Sequence, residues 1–300
     1  MKEKNTLKPI FSRKLKNGKY VILAAESEPL VVDEEAVNQI GQDINMSEKY
    51  DEETISIFRD SGFFLNSVTD NVTIPEEGKT RNWKIARYGL LVVAIFSILG
   101  IILTIPVVGI PFGNQIIVDS VPLWESIIYM VFISVATTAI HEIMHMIFAQ
   151  TWGKRAGGLN VKLRRSVATV SMTHIWNWSL LGRVSAVSAG IVSDLFLLFV
   201  CSIFRLYFDH WVLAATASIL WVRILWQFRF NRKSDGRLMA MVALDNPIIP
   251  IDDNDEFVSK EETFIWKLLK GIGATIEIII VIGWIVPFVF NIFFHSSSIV

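Results

Sequence analysis

Between residues 86 and 295 the chain passes again and again through long apolar stretches, and this pattern limits its fold more than any other feature. A helix that crosses a bilayer needs roughly 20 apolar residues. Stretches at 89–110, 126–149, 180–204 and 272–294 meet that length, and a fifth at 211–228 is interrupted by Arg223. An arginine there has to snorkel to the membrane surface or face protein. A mean hydropathy of +0.46 with 19% charged residues also fits a membrane protein rather than a soluble one. The expected fold is mainly α. It is a polytopic membrane domain over 86–295 with about five transmembrane helices, preceded by a small α+β domain over 1–80.

Orientation follows from the basic residues of the short loops. KTRNWKIAR (79–87) precedes the first stretch, KRAGGLNVKLRR (154–165) follows the second, and RFNRKSDGR (229–237) follows the fourth. The loops at 111–123 and 205–210 carry little positive charge. A multi-pass protein of the cell membrane with a cytoplasmic N-terminus is therefore expected. The basic start MKEKNTLKPIFSRKLK has no apolar segment behind it, so no cleavable signal peptide is expected. One cysteine, Cys201, excludes a disulfide within the chain.

Residues 1–80 hold most of the acids and no long apolar run. PIFSRKL and KYVILAAE flank Asn17-Gly18, a two-residue hairpin signal. Asp33 can cap a helix to about Ile40, and Asp51 or Glu52 can open another that ends near Gly62. Two strands and two or three short helices suit a winged-helix-like module, and a generic soluble appendage equally well.

Inside the second apolar stretch lies HEIMH, residues 141–145. Side chains four apart stack on one helix face, so His141 and His145 can offer two imidazoles to one zinc ion. Glu142 lies beside them, placed to take a proton from a metal-activated water. Each ionisable group costs on the order of 2–3 kcal/mol at mid-bilayer, and a shared metal is an economical partner for all of them. Ser134, Thr137, Thr138, His141 and His145 form one stripe, which should face protein rather than lipid.

A catalytic zinc has three protein ligands and one open position. Among the other histidines, His210 and His295 fall on the opposite side of the membrane in this topology, and His174 starts a loop. Asp235 in NRKSDGRLM lies just after the fourth stretch, at the same depth as HEIMH, with Gly236 free to turn beside it. Ser-Asp-Gly is also ordinary turn chemistry, so a surface turn stays open at this point. The alternation of Leu159, Val161 and Leu163 suggests a strand whose edge could pair with extended peptide. A basic loop on the membrane surface explains the same residues.

HEIMH in a spanning helix, followed two spans later by Asp-Gly, resembles the site-2 protease family of intramembrane zinc metalloproteases. The order of elements is similar over about residues 126–247. TWGKRAGGLNVKL is similar to that family's basic, Gly-containing β segment. WNWSLLGRVSAVSAGIVSD looks like its Arg-led third core helix with an AGP-x-x-N signature. Here Ile191 stands where Pro is usual and Asp194 where Asn is usual. FNRKSDGRLMAMVALDNP is similar to the N…DG stretch, without its Pro or the Leu before the Asp. The resemblance implies one zinc per chain on His141, His145 and Asp235, Glu142 as catalytic base, and Asn231 in contact with substrate backbone.

The resemblance is closest to a bacterial branch associated with maturation of ribosomally made, bacteriocin-like peptides. Residues 8–66 are faintly similar to the PqqD-like peptide-recognition module found there. The implied partners are the lipid bilayer, a peptide or membrane-protein substrate, and a peptide exporter and modifying enzyme. No nucleic acid is expected. Two other classes remain: an ion- or proton-coupled transporter, suggested by Asp194 and Glu277 inside apolar runs, and a peptide-binding pseudoprotease.

Overall fold

The computed structural model describes residues 7–40, 51–65, 74–152, 159–162, 167–170, 172–248 and 259–297. It is mostly helical. Strands β1 (Phe11–Lys14), β2 (Tyr20–Leu23) and β3 (Leu30–Val32) precede the short helices α1 (Glu34–Ile40) and α2 (Glu52–Asp60). Long helices α3 (Arg81–Val108) and α4 (Leu123–Phe148) follow, then a hairpin of β4 (Leu159–Lys162) and β5 (Val167–Val170). The chain continues through α5 (Leu180–Tyr207), α6 (Trp211–Gln227), α7 (Asp235–Leu244) and α8 (Lys260–Ile280). A π-helical turn, Val281–Ile285, joins α8 to α9 (Val286–Ser297).

Four helices are long and apolar enough to cross a membrane: α3, α4, α5 and the continuous run Lys260–Phe293. The fifth expected span, α6, has 17 residues and falls short of that length. Many large apolar side chains point outward, among them Phe96, Leu103 and Phe132 at 66, 76 and 66% exposure. Water would penalise such surfaces and lipid would not. In α5 the apolar window is 56% buried, against 11–17% in the other three, which makes α5 the helix most enclosed by protein.

The chain divides into two compact units. The first comprises Met1–Lys79, Met146–Ala186 and Ala240–Trp266. Its sheet is antiparallel in the order β1-β2-β3. Ile22, Ala24, Phe58 and Phe63 form a small core against it. The third strand, which follows Pro29, was not anticipated. Asp51 caps α2 as expected, its side chain accepting from the Thr54 N–H at 3.0 Å. The hairpin differs from the two-residue expectation. Gly18 N–H donates to Leu15 O and Leu15 N–H to Lys19 O, which closes a three-residue loop, and only Gly18 has positive φ (+86°). Asn17 instead turns its side chain onto the Lys19 N–H at 3.1 Å, an Asx turn that needs no left-handed backbone at Asn17.

The centre of this unit is Asp245, which is 5% exposed. Its backbone ends α7 with Asn246 N–H bonded to Met241 O and Asp245 N–H to Val242 O, and its φ is +56°. Glycine is usual at such a position. The side chain explains the exception, because its carboxylate receives Arg13 through two bonds (2.7 and 3.2 Å), Arg183, and the Lys16 N–H at 3.2 Å. Burial works against ionisation, but the bonds from Arg13 and Arg183 outweigh it and hold this carboxyl below its ordinary range. Asp245→Asn leaves Arg183 buried without its charge partner, so a stability loss of about 3 kcal/mol is expected. Thermal unfolding in detergent would read it. With a lowered folded pKa, this contribution is complete above the unfolded value of about 3.9 and disappears as pH falls through the folded one.

The second unit comprises Thr80–His145, Val187–Met239 and Lys267–Val300. Ile101 of α3, Leu198 and Cys201 of α5, and Ala217, Leu220 and Ile224 of α6 make its main core. Small residues line α5, including Ser188, Ala189, Gly190 and Ser193, so a neighbouring helix can approach its backbone closely.

Candidate metal centre

Helix α4 presents His141 and His145 one turn apart, both 2% exposed, with ring centroids 4.8 Å apart. Their Nε2 atoms lie 3.2 Å from each other. Asp235 Oδ2 completes a triangle, 2.8 Å from His141 Nε2 and 3.0 Å from His145 Nε2. Among the described residues, these three side chains form the group that could hold a metal ion. Burial would raise the Asp235 carboxyl, yet hydrogen bonds from both imidazoles overcome it and keep the group ionised far below its usual range. Three potential ligand atoms converge there, two imidazole nitrogens and one carboxylate oxygen.

Asp235 arrives there differently from the sequence expectation. Gly236 does not form a turn; Asp235 and Gly236 open helix α7. Ser234 precedes them, its Oγ accepting from the Arg237 N–H at 3.3 Å, an N-cap arrangement. A Cβ on Gly236 would lie 2.4 Å from Gln227 O and 3.1 Å from Phe228 Cα. Glycine is therefore required for the close approach of α7 to the end of α6, and φ plays no part. That approach is what carries Asp235 to the two histidines.

Three features around the triangle lie on other helices. Gly190 of α5 faces it so closely that a Cβ would sit 2.4 Å from His141 Nε2 and 2.5 Å from His145 Nε2. Asp194, one turn further along α5 and fully buried, accepts from His141 Nδ1 at 2.8 Å. Arg223 of α6 faces protein: its Nη2 lies 3.3 and 3.4 Å from the Asp194 oxygens, and its Nη1 donates to Thr138 Oγ1 at 2.6 Å. Glu142, next to His141 on α4, is half-buried and within electrostatic reach of His141, His145 and Asp235.

Comparison with protein-family models, with curated proteins and with solved structures gives no match. The site is read from its own geometry.

The remaining sequence-derived positions fall elsewhere. Asn231 directs its side chain to Glu277 of α8, and a Cβ on Gly273 would lie 3.0 Å from Asn231 Oδ1. Glu277 also meets Arg229 at 3.5 Å and Arg232 at 3.4 Å. Both carboxylates that suggested a transport pathway, Asp194 and Glu277, thus have arginine partners. Leu159 and Val161 belong to β4, which pairs antiparallel with β5 in the register Leu159↔Val170 and Val161↔Ala168. In that two-stranded sheet the outer edge of β4 has no partner among the described residues. Leu163 and the basic residues at 154–155 and 164–165 lie outside the described residues. His174 donates its Nε2–H to the Ala149 carbonyl at 2.8 Å, and His210 caps α6 by accepting from the Val212 N–H.

Sequence reasoning missed Gly190 as a contact of the site and left Asp194 without a role. The available signals were a glycine within a run of small residues and a carboxylate at mid-helix.

Proposed function

We propose that the chain is an intramembrane zinc metalloprotease that hydrolyses a peptide bond of a membrane-associated or exported peptide near the cytoplasmic face. The observation that carries this reading is the convergence of His141 Nε2, His145 Nε2 and Asp235 Oδ2, with separations of 2.8–3.2 Å. Ligands about 2.0–2.1 Å from a tetrahedral zinc stand roughly 3.3 Å apart, so the triangle is close to the size that zinc needs. Two imidazoles and a carboxylate are a borderline donor set that suits this ion. The chain's resemblance to site-2 proteases over about residues 126–247 supports the same reading. So do four apolar helices of spanning length.

When bound, zinc would supply a nucleophilic water at neutral pH and polarise the scissile carbonyl. Glu142 would be the base that accepts a proton from the attacking water and returns it to the leaving amine. Its place beside the three candidate ligands, outside their triangle, leaves its carboxylate available for this work. Asp235 adds a negative charge that offsets part of the metal's own. A helical substrate shields its amides, so it must unwind first, and the outer edge of β4 is suited to pair with the extended strand that results. The basic residues of the short loops support a cytoplasmic setting for this chemistry, where maturation of a ribosomally made peptide before export would take place.

The test is a mass-spectrometric digest. Purified protein in detergent is incubated with a library of membrane-associated peptides, with and without a zinc chelator. Defined cleavages that vanish on chelation and return with added zinc are expected. Cleavage that is indifferent to chelation would overturn the proposal.

A further inference from the structure

An aspartate and an arginine lie together behind the metal centre, and neither belongs to the ligating triangle. Asp194 is 0% exposed at mid-α5, in a helix long and apolar enough to span a membrane. An ionised carboxylate there is expensive unless its charge is met by another. Arg223 meets it, 3.3 Å from Asp194 Oδ2. The guanidinium is held in turn by α4, through Thr138 Oγ1 at 2.6 Å and the Thr137 carbonyl at 3.4 Å. Those two threonines stand one turn before His141 on the same helix. Three helices are tied at one point, and the tie ends on a ligand: Asp194 Oδ2 lies 2.8 Å from His141 Nδ1, while His141 Nε2 points to Asp235 and His145.

We infer that Asp194 and Arg223 act as a charge-balanced support that fixes the tautomer and orientation of His141, and through it sets the metal affinity of the site. The inference rests on the metal-centre reading above. A carboxylate on Nδ1 takes that ring proton as its hydrogen bond, which leaves the Nε2 lone pair for the ion and raises its basicity. Carboxylate alone would add negative charge to an apolar interior. Arg223 cancels it, so His141 gains an anionic partner while the surroundings gain no net charge. This also accounts for an aspartate at 194. A neutral asparagine could accept from Nδ1, but it would leave the Arg223 cation unbalanced and close to a second cation, the metal.

This charge argument fixes the signs of the variants. Asp194→Asn is expected to weaken metal binding 10- to 100-fold, the usual range for loss of an outer partner. Arg223→Gln removes the competing cation while keeping the Asp194 carboxylate, and is expected to hold metal more tightly than wild type. In the double variant both charges are gone, and affinity is expected to recover at least several-fold over Asp194→Asn alone. A purely structural role predicts the reverse, with the double variant no better than the worse single one.

The measurement is Co2+ titration of purified full-length protein in detergent. It is followed by the visible ligand-field bands of the bound ion and by competition with a chelator, so it needs no substrate. Wild type that binds no Co2+ would overturn the metal-centre reading itself. With wild type binding, an Asp194→Asn variant of unchanged affinity and unchanged bands would overturn the support role alone, as would a double variant no tighter than Asp194→Asn. Should Asp194→Asn fail to accumulate as folded protein, Arg223→Gln decides by itself. Tighter binding supports the inference, and unchanged or weaker binding overturns it.

Discussion

Glu142→Gln is expected to keep its metal and to lose peptide cleavage by at least about 10²- to 10⁴-fold. The substitution preserves shape and removes the carboxylate that can accept a proton. Glu142 lies outside the triangle of His141, His145 and Asp235, so the ligands and their spacing stay as they are. Two measurements on one preparation check this: zinc per chain by elemental analysis, and turnover of whichever library peptide the wild type cuts. Loss of metal together with activity would show that Glu142 holds the site together. Full activity would remove it from the mechanism.

The second large effect concerns a residue that bears no functional group. Gly190→Ala places a methyl 2.4 Å from His141 Nε2 and 2.5 Å from His145 Nε2, where no carbon can sit. The imidazoles can swing aside, since they are side-chain ends, but swinging them aside dismantles the triangle. Metal affinity is therefore expected to fall by at least about 100-fold, the upper range for outer-partner losses, because here the ligands themselves are displaced. Gly271→Ala provides the control, in a helix where a Cβ would meet nothing within 4 Å. There alanine is expected to leave metal binding unchanged and to stabilise α8 by up to about 1 kcal/mol. Chelator competition on the three proteins reads the contrast. Equal affinity in Gly190→Ala and wild type would mean that α5 does not abut the site as described.

How much of this was legible beforehand depends on the range over which each feature is determined. HEIMH was readable because helix periodicity alone puts residues 141 and 145 on one face, and because polar groups stand out in an apolar run. The cap at Asp51, and a helix that begins after Asp33 and ends at Ile40, were readable for the same local reason. Asp235 was visible as Asp-Gly, but turn chemistry explained that dipeptide equally well. Only the approach of α7 to the end of α6, which Gly236 permits, makes it the opening of a helix. Asp194 and Arg223 were each visible as a misfit. They were not visible as a pair, since 29 residues separate them, they lie on two successive helices, and no local pattern encodes the rotation of α5 against α6. Gly190 gave less still. A glycine among serines and alanines reads as helix packing, and only the backbone position shows that the packed partner is a pair of ligands. At the other end of the chain, the pleat after Pro29 is set by pairing of Leu30–Val32 with β2, which is again a tertiary cause.

The central claim is that one metal ion binds where α4 and α7 bring His141, His145 and Asp235 together. Elemental analysis of full-length protein, purified in detergent without added chelator, tests it most directly, with wild type and Asp235→Ala measured side by side. The account predicts about one zinc per chain in the wild type, in line with a three-ligand site, and a small fraction of that in Asp235→Ala. Wild type without stoichiometric metal, or Asp235→Ala with its full complement, would contradict it.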